Sequence, residues 1–232
     1  MAGKVLRLRK NTGDEKNLTQ WVHENIKGMM FNYEIVPGQR LIFNELAKLL
    51  GVSRTPVNNA LAILANEGFL DFIPNQGYRV HEITKKEAES LYEIREMIET
   101  GAVGKAIRNA TSEGLRALER QKALYEAAVA DELSRERFTL DQEFHACIVE
   151  MADNLYLADY LREVYQRTFL RHRIEGLRAG RVQKVVEEHT KIFKAIQMRD
   201  VLEARELLKS HIQAGKDYIF PVIFGGKDIG LK

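Results

Sequence analysis

Residues 44–57 read Asn44-Glu45-Leu46-Ala47-Lys48-Leu49-Leu50-Gly51-Val52-Ser53-Arg54-Thr55-Pro56-Val57. Leu46, Ala47, Leu49 and Leu50 form a short apolar helix that stops at Gly51, a residue suited to the left-handed conformation at a helix C-terminus. Ser53 follows as an N-cap, Pro56 fits the first turn of a next helix, and Val57, Leu61 and Leu64 give it an inward stripe. A pair of helices joined by a short Gly-containing turn crosses at a steep angle, as in a helix-turn-helix. Ile42 stands where a polar cap is expected, so Asn44 is expected to cap a shortened helix instead.

Working outward, Leu18, Trp21, Val22, Ile26, Met29 and Met30 recur at three- and four-residue steps, which predicts an amphipathic helix before the break at Pro37-Gly38. On the other side, residues 69–73 and 78–80 are short strand-like runs around the turn-forming Pro74-Asn75-Gln76-Gly77. The order helix, helix, turn, helix, hairpin predicts a winged helix-turn-helix over residues 15–83. Thr84-Lys85-Lys86-Glu87 then has the form of a capping box and opens a second domain, residues 84–226. From there to about Ile219 there is no proline and no strand pattern, only helical periods broken near residues 110–111, 131–134, 153–154, 175–180 and 199–200. About six helices fit between those breaks. The fold class is therefore mainly α: an N-terminal winged helix-turn-helix and a C-terminal antiparallel all-α helical bundle.

The 232 residues are 45% apolar and 29% charged, the balance of a globular chain. No apolar run reaches the roughly 18 residues of a membrane span, and no signal-peptide pattern opens the sequence. The single cysteine, Cys147, offers no disulfide framework and excludes a Cys-rich zinc module, so a cytoplasmic, reducing location is expected. The formal charge of +2 by itself would not predict a nucleic-acid partner. Residues 1–80, however, hold ten Lys/Arg against seven Asp/Glu, and the rest of the chain is −1. Lys4, Arg7, Arg9 and Lys10 concentrate part of the excess in residues 1–14, read as a flexible basic arm.

The second domain carries the richer chemistry. Asp141 and His145 are four residues apart, about 40° around a helix, and share the face flanked by Phe144 and Ile148. His189 lies on the apolar stripe of Val185, Val186, Ile192 and Phe193, and His211 stands in the same relation to Leu207 and Leu208. Three imidazoles and a carboxylate thus point into one bundle from three helices, a costly burial unless they are paired or ligate an ion. A divalent transition metal with N/O ligands resolves the cost, with Zn, Ni, Mn and Fe all compatible. His172, in Arg171-His172-Arg173, sits among cations and is left out of the set. Glu143 and Glu188 adjoin these residues in sequence but are expected to point elsewhere on their helices.

The stretch from Asn44 to Val57, followed by Ala60-Leu61 and later by Glu67-Gly68-Phe69-Leu70, resembles the DNA-binding domain of the GntR family of bacterial transcription regulators. The helical remainder resembles the effector (FCD) domain of the FadR-like branch of that family. The resemblance implies a homodimer on a pseudo-palindromic double-stranded DNA operator, with Ser53, Arg54 and Thr55 at the start of the recognition helix and Arg79 on the wing. It also implies a metal site at Asp141, His145, His189 and His211, and a small carboxylate effector. Arg95 matches a cavity arginine of similar proteins and fits a carboxylate fork, or else an ion pair with Glu99 one turn on. Asn154 is a further effector candidate. The chain departs from the family pattern at Asn58, Asn59 and Asn44, where basic or acidic residues are usual. Asn pairs with adenine more naturally than with guanine, so the operator is expected to differ from a guanine-rich half-site.

Two other readings remain at this point. A centre of one Asp and three His also serves metal-dependent hydrolases and oxygenases, although no further general base shares the face of Asp141 and His145. A winged helix-turn-helix has no use in such an enzyme. A regulator with a purely structural metal would answer to no organic acid.

Overall fold

The computed structural model describes residues 15–128, 135–169 and 181–225. The basic arm and His172, with Arg171, Arg173 and the breaks expected at 131–134 and 175–180, lie outside the described residues. The chain divides between His81 and Glu82 into two compact units.

In the first unit, α1 (Glu15–Phe31), α2 (Phe43–Leu50) and α3 (Arg54–Asn66) accompany β1 (Arg40–Leu41), β2 (Leu70–Ile73) and β3 (Gly77–Val80). Val22, Ile26 and Met30 of α1 are buried, as are Val57, Ala60, Leu61 and Leu64 of α3, the helix against which α1 packs. Gly51 has φ 67° and closes α2 with its N–H directed at the Ala47 and Lys48 carbonyls, the left-handed cap its sequence position predicts. The sheet order is β1-β3-β2, all antiparallel. Strand β1 was not expected. At two residues it has no alternation to detect, and only its pairing of Arg40 with Arg79 and Leu41 with Tyr78 defines it. Two capping expectations are corrected. Helix α2 starts at Phe43 with Ile42 as N-cap, its carbonyl accepting from the Glu45 and Leu46 N–H groups, so Asn44 lies inside the first turn and caps nothing. Ser53 does occupy the N-cap of α3, but its side chain makes no capping hydrogen bond.

The second unit contains, among the described residues, α4 (Lys85–Asn109), α5 (Ser112–Ala127), α6 (Arg135–Glu150), α7 (Leu157–Phe169), α8 (Val182–Gln197) and α9 (Val201–Phe224). The Thr84 capping box forms: Thr84 Oγ1 accepts from the Glu87 N–H at 3.2 Å, and Glu87 Oε2 accepts from the Thr84 N–H at 2.9 Å. Asp200 caps α9 by accepting from the Glu203 N–H at 3.0 Å. Helix α6 packs against α4, α5 and α7, and α9 packs against α4 and α8. Phe144, Ile148, Leu118, Leu161, Ile192, Ile196 and Leu208 fill the space between them and are essentially inaccessible. Pro221 falls in the last turns of α9 and does not end it. No described helix is long and apolar enough to cross a membrane.

Candidate metal centre and nucleic-acid interface

In the first unit Asn44 of α2 and Arg54, Thr55 and Asn58 of α3 line one surface groove together with Ile42 and Phe43. Pro56, Val57 and Ala60 turn the opposite face of α3 into the core, which is why the polar positions are left outward. All four groove polar residues are exposed, and so are Ser53 beside them and Arg79 on β3. Arg79 pairs across the sheet with Arg40 on one side and Asp71 on the other. Arg40, exposed and donating from Nε to the Gln76 carbonyl at 2.9 Å, is a second cation of the wing that sequence reading missed because it belongs to the undetected strand. His23 is spent internally, its Nε2 lying 3.0 Å from both carboxylate oxygens of Glu67.

The second unit brings Asp141, His145, His189 and His211 together, with one ligand atom from each lying within 4.8 Å of all the others. His145 and His189 are fully buried and His211 is 4% exposed. Asp141 Oδ1 stands 3.8 Å from His145 Nε2, 3.2 Å from His189 Nε2 and 3.8 Å from His211 Nε2. Ligands bonded at about 2.1 Å to one ion sit about 3.0–3.4 Å apart, so this spacing suits a single metal ion.

The outer nitrogens define what the inner ones offer. His145 Nδ1 lies 2.5 Å from Glu99 Oε2, and His211 Nδ1 lies 2.7 Å from Glu188 Oε2. Ionised carboxylates only accept, so the hydrogen-bonded Nδ1 of His211 carries the hydrogen and its Nε2 is left with a lone pair, and the close contact of His145 Nδ1 with the Glu99 carboxylate favours the same tautomer there. These two Nε2 atoms are 3.1 Å apart, and that approach is a hydrogen bond only if one ring carries a second proton. Burial opposes this: it lowers the pKa of His211, and it brings that of His189 down to about 3 against the pull of Asp141. For Asp141 burial is outweighed by the hydrogen bond of His189 and the charges of His145 and Arg95, which hold its carboxyl well below the ordinary range. Burial likewise acts to raise Glu99, but His145 and Arg95 bring it down to about 2. Among the described residues His189 Nδ1 has no hydrogen-bond partner, its Nε2 faces Asp141 Oδ1 at 3.2 Å, and its ring stacks on Phe144 at 4.0 Å and 15°. Lone pairs and a carboxylate converging in a dry site are the donor set a cation requires.

Beside these residues lies a cavity of about 60 Å³, room for roughly four waters or a small organic molecule. Asp141 and His211 form part of its wall, with Arg95, Arg137 and Arg181 as its cations and Tyr92, Tyr125 and Tyr218 as its polar aromatics. Arg95 lines this cavity and also makes the ion pair with Glu99. Its Nε donates to Glu99 Oε1 at 2.6 Å, while its buried Nη2 has no hydrogen-bond partner and stands 3.9 Å from Asp141 Oδ2. Asn154 does not reach this cavity. It lies exposed between α6 and α7, where its Oδ1 accepts from the Tyr156 N–H at 3.1 Å, so the turn consumes it.

Glu188 corrects another expectation. It points away from His189 on its own helix, as its phase requires, but toward His211 of α9, and it also receives Arg181 at 3.2 and 2.7 Å. Glu143 does face elsewhere, onto Arg162 at 3.2 and 3.1 Å. Glu99 was read only as an ion-pair partner of Arg95, and its contact with His145 was missed because no pattern on α4 links it to a histidine on α6. The one available signal was an acid four residues after an arginine on a mostly inward face.

Residues 18–80 match the family described as bacterial regulatory proteins, gntR family, and residues 90–214 match the FCD domain. The chain is 32% identical over 198 residues to the Nta operon transcriptional regulator of Aminobacter aminovorans, covering 85% of this chain and 92% of that one. It is 28% identical to the HTH-type transcriptional regulator YdhC of Bacillus subtilis, covering 89% and 92%. Among solved structures, E. coli McbR/YncC shares the fold, with a TM-score of 0.71 at 24% identity over 88% of this chain and 98% of that one. These relatives regulate transcription, which removes the hydrolase and oxygenase readings. The chain belongs to the GntR family of transcription regulators, in the FadR-like group that joins a winged helix-turn-helix to an FCD domain.

Proposed function

We propose that this regulator binds a pseudo-palindromic operator as a homodimer and senses a small organic acid at a divalent transition metal held by Asp141, His145, His189 and His211. The observation that carries the sensing half is the convergence of the His145 and His211 Nε2 lone pairs 3.1 Å apart, with Asp141 Oδ1 3.8 Å from both. Zn, Ni, Mn and Fe all accept such ligands. When bound, the ion supplies Lewis-acidic positions that a carboxylate can fill. The protein does the rest: Arg95 presents Nη2 to the same carboxylate, and Tyr92, Tyr125 and Tyr218 offer hydroxyls.

On the DNA side, the start of α3 enters the major groove, where Arg54 reads a base edge and Ser53 and Thr55 meet phosphate. Asn44 and Asn58 complete the reading face and favour adenine at their positions. Arg79 contacts the backbone from the wing. Effector binding changes operator affinity through a difference in effector affinity between two states of the dimer.

The test is a thermal-shift screen of small mono-, di- and hydroxycarboxylates, run with and without chelator. An acid that stabilises the protein and loses that effect on chelation supports sensing at a metal. Stoichiometric metal with no responding acid points to a purely structural ion.

A further inference from the structure

Two carboxylates beside the centre, one buried and one half-buried, have no part in the reading above. Glu99 of α4 is 1% exposed, lies 2.5 Å from His145 Nδ1 and accepts from Arg95 Nε at 2.6 Å. Glu188 of α8 accepts from His211 Nδ1 at 2.7 Å and from both terminal nitrogens of Arg181 at 3.2 and 2.7 Å. The arrangement is the same on different helices: an arginine of the cavity wall, a carboxylate, and the outer nitrogen of a histidine whose inner nitrogen faces Asp141. His189 lacks it. No carboxylate of the described residues stands at its Nδ1, and the ring is held by the stack on Phe144 and by an edge contact with Tyr125 at 4.9 Å and 62°.

We infer that Glu99 and Glu188 are positioning residues that hold His145 and His211 as Nε2 donors to the metal and connect them to Arg95 and Arg181 of the effector cavity, while His189 is held by packing alone. The inference rests on the metal reading above. Each carboxylate does two things for its histidine. It keeps the hydrogen on Nδ1, so the ring presents a lone pair inward, and it stops the ring rotating about χ2. A ring without such a partner divides between tautomers, and only one can ligate through Nε2. Outer partners of metal-bound histidines typically contribute about 10- to 100-fold in metal affinity. Because each carboxylate is shared with a cavity arginine, an anion that draws on Arg95 or Arg181 also alters the hold on a ligand.

The experiment uses the full chain, stripped with chelator and titrated with Zn²⁺ against a chromophoric competitor. Glu99→Gln and Glu188→Gln are each expected to weaken Zn²⁺ binding by about 10- to 100-fold and to shift the absorption bands of the Co²⁺-substituted protein. Glu143→Gln, which removes the same charge from a residue paired with Arg162, is the control and is expected to bind Zn²⁺ as the parent does. Glu188, with its side chain 27% exposed, tolerates substitution better than Glu99, so Glu188→Gln decides the matter if Glu99→Gln does not fold. An unchanged Tm of stripped Glu188→Gln protein separates positioning from loss of fold. Arg181→Gln is expected to alter Zn²⁺ affinity in the parent and to have no further effect in Glu188→Gln; equal changes in both backgrounds remove Arg181 from the connection. A parent that binds Zn²⁺ and Gln variants that bind it equally well, or lose no more than Glu143→Gln, overturn the inference alone. A parent that binds no Zn²⁺ overturns the metal reading with it.

Discussion

The two units place their polar residues in opposite ways. In the first, Asn44, Ser53, Arg54, Thr55, Asn58 and Arg79 are all exposed on a surface whose reverse side supplies the core. In the second, His145, His189, His211, Arg95 and Glu99 are buried, and Asp141 and Glu188 lie against the histidines at 3.2 and 2.7 Å. A surface that must read DNA keeps its donors in water, where a change of side chain alters recognition and leaves folding nearly untouched. A buried cluster of ionisable groups in a dry bundle balances charge against desolvation at every residue, so a change of side chain there alters stability along with whatever the cluster does.

The largest expected effect tests the second half of that contrast. His189→Ala combined with His211→Ala removes two of four ligands and is expected to abolish stoichiometric metal in the purified protein, measured by elemental analysis. Retained metal would refute the assignment. Next comes Phe144→Ala, which opens a cavity where the ring is fully buried against His189; denaturant unfolding is expected to show a loss of about 3–5 kcal/mol. The matching change in the other unit, Asn58→Ala, is expected to stay within about 0.5 kcal/mol of the parent. A large loss there would break the comparison.

Arg54→Ala follows, with about 1–3 kcal/mol of specific operator affinity lost and little change on unrelated DNA. Binding curves showing equal losses on both would mean that Arg54 touches only phosphate. Reckoned per pH unit, the smallest effect is the acid dependence of the metal-free protein. Burial holds His189 near 3 in the folded chain against an ordinary 6.5, so between those values the unfolded chain binds a proton that the folded chain refuses. Stability therefore falls as the pH is lowered from 6.5 toward 3, by at most about 1.4 kcal/mol per pH unit for this group. Unfolding measured across that range in chelator should lose this slope in His189→Asn.

Much of both units was legible because their signals are local. The Gly51 cap, the Ser53 position, the Thr84 capping box and the Asp200 break depend on residues within one turn of each other. The cluster of Asp141, His145, His189 and His211 was legible because helical phase places each on an apolar face, and inward faces of one bundle meet. Phase did less well with acids. It correctly directed Glu188 away from His189, but it cannot say which neighbouring helix stands in that direction, and the neighbour is α9 with His211. Asn154 failed for the converse reason: a plausible residue type was already committed to its own turn.

The sequence by itself therefore determined the order of the helices, the family, the outward face of α3 and the clustering of Asp141, His145, His189 and His211, because periodicity and capping act between residues close in the chain. Only the tertiary structure decided which carboxylates accept from which histidines, that β1 joins the sheet, and that three arginines and three tyrosines line one cavity beside Asp141. Those contacts join residues tens of positions apart. They exist only where packing brings helices side by side, and no spacing along a single helix encodes them.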